Sequence, residues 1–150
     1  MNFIKRLIQT DAPASVIIIR VMVGLVFLSE GIQKFLFAGD LGSGRFAKIG
    51  IPAPEFFGPF VGTVEIVAGI LLVIGLLTRF AAIPLFIVMT IAIYSTKLAT
   101  LAEKGFWVTA HEGRTDWAMF LSLIFLLIVG AGALSADARL FQNRRAFLNR

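Results

Sequence analysis

Residues 117–136 are twenty consecutive residues without a charge, and residues 80–96 are seventeen more. About 20 apolar residues in a helix rising 1.5 Å each span a hydrocarbon core of roughly 30 Å. Runs of this kind commit a chain to a lipid bilayer. Residues 15–37 and 56–77 are of similar length and apolar except for a few embedded charges. In lipid the backbone must satisfy its own hydrogen bonds, and none of these runs alternates as a barrel strand would. The expected fold is therefore all-α: an integral membrane four-helix bundle, with antiparallel spans at approximately 15–37, 56–77, 80–100 and 116–136. A soluble domain of 150 residues would not be 58% hydrophobic with only 15% charged residues.

Charge placement orients the bundle. The two tails and the short second link carry Lys5, Arg6, Arg79, Arg139, Arg144, Arg145 and Arg150, against Asp11 and Asp137. The opposite side balances Arg45, Lys48, Lys104 and Arg114 with Asp40, Glu55, Glu103 and Glu112. The positive-inside rule then puts both termini in the cytoplasm of a cell bounded by an inner (plasma) membrane. The net charge of +5 is mostly this topology signal, and the basic tail suits anionic headgroups rather than nucleic acid. The first run reads as a retained helix rather than a cleaved leader, because it is long and Arg20 interrupts it. With no cysteine and a single histidine, His111, the chain offers no thiol redox pair, iron–sulfur ligands, Cys/His metal site or bis-His haem. The expectation is no metal and no cofactor bound by this chain alone; any redox centre belongs to a partner or to a diffusible carrier such as a quinone.

The chain reads as one domain, residues 1–150. A lead of residues 1–14 ends in a helix-start signal at Asp11-Ala12-Pro13. The first outer loop, 38–55, is glycine-rich, and Phe46, Ile49, Ile51, Phe56 and Phe57 suggest that part of it lies on the membrane surface. The link 78–81 is tight enough to force a hairpin, with Pro84 in the first turn of the next span. A second, polar outer loop is expected at 100–115, with Trp107 and Trp117 at headgroup level.

Two carboxylates lie inside the spans, and charge at membrane depth is rare and normally faces the bundle interior with a partner. On the first span Arg20, Gly24, Phe27, Gly31 and Lys34 share a face, and Glu30 precedes Lys34 by four residues. On the second, Gly58, Gly62, Glu65 and Gly69 form a small-residue stripe of the kind that packs helices closely. Helix rise places Glu30 about 10 Å, and Glu65 about 12–14 Å, below the outer ends of their spans. Lys97 lies near the outer end of span three, and Asp116 is expected to cap span four. The candidate intramembrane polar site is therefore Glu30, Lys34, Glu65, Lys97 and Asp116. The expected packing residues are Gly24, Gly31, Gly58, Gly62 and Gly69, and Arg20 and Arg79 mark the cytoplasmic side. Tyr94 is expected to donate a hydrogen bond into the bundle. The bland alternative is an ion-pair network that fixes helix register, with the lysines reaching for headgroups.

The pattern resembles the DoxX family of small four-helix membrane proteins. The resemblance is carried by Arg20-Val21-Met22-Val23-Gly24, Phe27, Gly31, Lys34-Phe35, Phe46, Gly50-Ile51-Pro52 and Glu65 with Gly69. It continues in Gly75-Leu76-Leu77-Thr78-Arg79, Ala81-Ala82 and Gly130-Ala131-Gly132-Ala133-Leu134-Ser135-Ala136-Asp137. Many members have a histidine near the end of span three, where this chain reads Tyr94-Ser95-Thr96-Lys97, which argues against carrying over a haem or metal role. What the resemblance implies is an inner-membrane protein associated with quinone-dependent oxidoreductases or redox-stress complexes. Three functions follow as expectations. The first is an accessory or anchor subunit of such an oxidoreductase, with its catalytic residues unassigned and a quinone or partner subunit at the polar pocket. The second is a small proton-coupled transporter or permeation subunit, working as a homo-oligomer. The third is a structural scaffold without catalysis.

Overall fold

A computed structural model describes residues 12–140. The charges at Lys5, Arg6, Asp11, Arg144, Arg145 and Arg150, and with them the two tails, lie outside these residues. The described chain is helical and contains no strand: α1 (Val16–Leu36), α2 (Ser43–Lys48), α3 (Pro54–Ile74), α4 (Thr78–Glu112) and α5 (Arg114–Val129). Three of these, α1, α3 and α4, are long and apolar enough to cross a membrane.

Glycine brings α1 and α3 together. A Cβ on Gly24 would lie 2.8 Å from the Gly69 carbonyl oxygen, and one on Gly31 would lie 2.6 Å from that of Gly62. Only hydrogen fits at that seam, where Gly24 meets Gly69 and Gly31 meets Gly62. Gly58, also expected as a packing residue, packs against α2 rather than α1. It accommodates Ser43 at the start of α2, where a Cβ would meet the Ser43 nitrogen at 2.7 Å. The hairpin after α3 is closed by Gly75 in the left-handed region (φ 71°), which only glycine adopts without strain. Its missing side chain leaves room for the Arg20 guanidinium.

Several expected boundaries move. The polar segment 100–115 is not a loop: α4 runs through it to Glu112, with one break at Gly105 (φ 78°, ψ 177°). The break returns Glu112 to Lys104, at 3.2 Å, and to Lys97, whose Nζ donates to the Glu112 carbonyl at 3.3 Å. Local ion pairs and backbone hydrogen bonds outweigh polarity there. Because α4 starts at Thr78, Pro84 falls inside the helix rather than in its first turn. The last span ends at Val129, seven residues before its expected limit, because Gly130 and Gly132 take positive φ values. At 16 residues, α5 is about 24 Å long, short of the ~30 Å core. Tyr94 is 71% exposed on the outside of α4 and donates nothing into the bundle.

The core is apolar and lies where α1, α3, α4 and α5 meet: Val23, Phe27, Leu72, Ala82, Leu85, Leu123 and Leu126 are almost completely buried. Aromatic stacking of Phe86 on Phe120 (4.9 Å between centroids) joins α4 to α5.

Candidate functional site

Polar groups gather at both ends of this core, and the two clusters differ in character. At the hairpin end, Arg20, Arg79 and Asp137 are committed to backbone. Arg20, 2% exposed, donates to the carbonyls of Ala131 (2.6 Å) and Leu134 (2.8 Å). Arg79 donates to Leu127 and Ile128 (both 3.0 Å), capping the carbonyl end of α5. Asp137, 1% exposed, accepts from the backbone N–H groups of Leu77 (2.8 Å) and Thr78 (3.1 Å), capping the start of α4. Ser135 accepts from Ala138 and donates to Gly132. The Gly130–Ser135 stretch is thus a non-helical strap, with helix resuming at residue 136, and Arg20 satisfies two of its open carbonyls, as irregular backbone in a membrane protein requires. Arg20 and Asp137, expected as markers of charge on one side, are buried structural partners of this strap. The burial of Asp137 also takes it out of the solvent-exposed charge count.

At the other end the charges face a cavity. Lys34 lies 2.7 Å from Glu65 and 3.8 Å from Glu30, so one ammonium bridges two carboxylates. Glu65 is 5% exposed in its side chain and Lys34 10%, whereas Glu30 is half exposed. The glycine seam explains the contact: Gly31 lies three residues before Lys34, Gly62 three before Glu65, and close helices put the two side chains within reach. The cation for Glu65 is supplied by the neighbouring helix. Lys97 pairs with Asp116 at 2.9 Å across α4 and α5. Asp116 sits in the first turn of α5, with Gly113 rather than itself at the cap position.

The cavity has a volume of about 550 Å³ and opens between the α1–α3 pair and the α4–α5 pair. Glu30, Lys34, Glu65 and Asp116 contribute to its lining, and Lys97 reaches it only through Asp116. Most of the wall is apolar, including Val61, Val88, Met89 and Met119. Phe46, Ile49 and Ile51, expected on the membrane surface, instead roof the cavity, and Phe46 is buried. Arg45 also lines it, a residue sequence reading treated only as outer-side charge. Its position depends on the fold of 38–55, which no periodicity reveals. No group of three or more metal-ligating side chains occurs among the described residues.

The DoxX family profile matches residues 15–98. The chain belongs to the DoxX family. It is 54% identical to an uncharacterized membrane protein of Mycobacterium tuberculosis, over 94% of this chain and 90% of that one. An uncharacterized protein of Haemophilus influenzae is 34% identical, over 83% and 89% of the two chains. A Bacillus subtilis protein with a provisional oxidoreductase name, CatD, is 27% identical, over 86% and 89%. No solved structure matches the chain. Both polar clusters draw on residues inside the matched region, but Asp116 and the strap lie beyond it.

Proposed function

We propose that this DoxX-family protein is an accessory or anchor subunit of a quinone-linked oxidoreductase in the plasma membrane. In this reading it is a single domain of four antiparallel crossings with both termini in the cytoplasm, and its cavity receives the quinone head. The observation that carries the reading is the cavity: apolar walls of ligand-sized volume, with a buried ammonium bridging two carboxylates at one end. Ligand pockets typically measure roughly 300–1,000 Å³ and are mostly apolar, with a few convergent polar groups. The side chains present fit a quinone, since Lys34 and Arg45 can donate to carbonyl oxygens while the apolar wall takes the isoprenoid. A bound quinone supplies electron and proton acceptance. The chain's own part is to bind the head, exclude water with the Phe46–Ile51 roof, and hold charge beside it. The provisional name of CatD supports the redox setting.

Purification from native membranes in mild detergent, followed by mass spectrometry of lipids and proteins, tests the reading. A co-purifying quinone or redox subunit is the expected result. Absence of both at native expression levels rejects it.

Transport is less well supported, because the strap and the apolar core close the cavity at the hairpin end. The register-fixing reading predicts instead that changes at Lys34 and Glu65 alter stability and nothing else.

A further inference from the structure

The cations around the cavity are not equivalent. Lys34 is held between Glu65 and Glu30, and Lys97 is held by Asp116 and by the Glu112 carbonyl. Arg45 lines the same cavity, yet among the described residues its guanidinium makes no ion pair and no hydrogen bond. Its side chain is exposed, but the backbone that carries it is firmly placed. Phe46 beside it is buried, Gly42 sits against the Lys34 carbonyl, and Ser43 sits against Gly58. The short helix that carries Arg45 is thereby pinned to both α1 and α3. A guanidinium has five N–H donors in a rigid fork, suited to oxygen acceptors. Most of the remaining wall is apolar and includes Met89 and Met119. Thioether side chains adapt to flexible apolar ligands.

We propose that Arg45 is the head-binding residue of this cavity. Its ligand is an amphiphile whose head presents acceptor oxygens, a carbonyl or a carboxylate, to that guanidinium while its apolar body lies against Met89 and Met119. A cationic head is disfavoured, because Arg45 would repel it, Lys34 already bridges Glu65 and Glu30, and Asp116 is paired with Lys97. The inference rests on the reading of the cavity as a ligand site and goes further by singling out Arg45 over Lys34 as the group that selects the occupant by its head.

The test uses the full chain in nanodiscs of neutral phosphatidylcholine and a fatty-acid probe with a photoactivatable group near its tail. Labelling is mapped by peptide mass spectrometry and competed with oleate, decylubiquinone or dodecylamine. The expected result is labelling near Met89 and Met119, displaced by oleate or decylubiquinone and not by dodecylamine. Which of the two competes more strongly assigns the head as carboxylate or carbonyl. Arg45→Leu should weaken binding about tenfold to a hundredfold, as loss of a charge-assisted hydrogen bond does, and Arg45→Lys should restore part of it. An unchanged thermal midpoint in both variants shows that they fold. Labelling of the cavity that is equally strong in Arg45→Leu overturns the role of Arg45 while leaving the ligand site intact. Displacement by dodecylamine overturns the head chemistry. Absence of cavity labelling in the unaltered chain rejects the ligand site itself, and this inference with it.

Discussion

Replacing Gly31 by valine tests whether the glycine seam sets the distance on which the charge cluster depends. A Cβ at Gly31 falls 2.6 Å from the Gly62 carbonyl oxygen and 2.9 Å from the Ile66 nitrogen, where ordinary contact begins near 3.4 Å. Both atoms are backbone, so no side chain can turn aside. The helices must part by about 0.8 Å, the difference between those distances. Overpacking of this kind costs about 1–3 kcal/mol, and the two extra methyls of valine put it at the upper end. Alanine adds less bulk and recovers about 1 kcal/mol of helix propensity, so Gly31→Ala should cost only about 0–2 kcal/mol. The same movement stretches the 2.7 Å Lys34–Glu65 contact to about 3.5 Å. Thermal unfolding in detergent, followed by tryptophan fluorescence and circular dichroism, should rank the chains native, Gly31→Ala, Gly31→Val in falling stability. Gly39, with nothing within 4 Å of its Cβ position, provides the control, and Gly39→Ala should be neutral. Lys34→Met should also cost less in the Gly31→Val background than in the native one. A Gly31→Val protein as stable as the native chain, with undiminished coupling to Lys34, would refute the argument.

Lys34→Met strands the buried Glu65 carboxylate and should destabilise by about 3–5 kcal/mol in a detergent unfolding assay. Lys34→Met with Glu65→Leu should recover most of that loss. Asp137→Ala removes the acceptors for the Leu77 and Thr78 N–H groups, so a loss of about 1–2 kcal/mol is expected. Hydrogen exchange should show it as faster exchange at the start of α4. Arg20→Met unpairs the carbonyls of Ala131 and Leu134, and limited proteolysis should then cut the Gly130–Ser135 strap faster than in the native chain. Gly105→Ala has open space around it but a backbone conformation almost confined to glycine. It should cost about 1–3 kcal/mol or straighten α4, and the latter is detectable as loss of the Lys104–Glu112 pair in a double-mutant cycle.

Periodicity carried the parts of this fold that depend on one helix face. The spacing of Gly24 and Gly31 and of Gly62 and Gly69 marks a packing stripe, and Glu65 stands in that stripe because its helix must meet another there. The i, i+4 relation of Glu30 and Lys34 is likewise local. Arg45 and the roof residues were not legible, since their positions come from a glycine-rich turn whose path is decided by contacts with α1 and α3. The helical course of residues 100–112 was hidden because polarity alone does not distinguish a solvated helix from a loop. Arg20 and Asp137 misled for a different reason. Position near a span's end suggests a solvated charge, whereas their partners are 59 to 114 residues away in sequence.

The strap sets an order of events during synthesis. Arg20 enters the bilayer with the first helix, and the exposed N–H groups that open α4 follow with the hairpin. The carbonyls and carboxylate that complete both emerge from the ribosome more than fifty residues later. Until then the nascent bundle holds an uncompensated guanidinium and a bare helix start. Assembly at this end therefore waits for a fastening step made by residues 131–137, translated after both helices that they secure, and a truncation before Ser135 would leave an inserted protein that never locks.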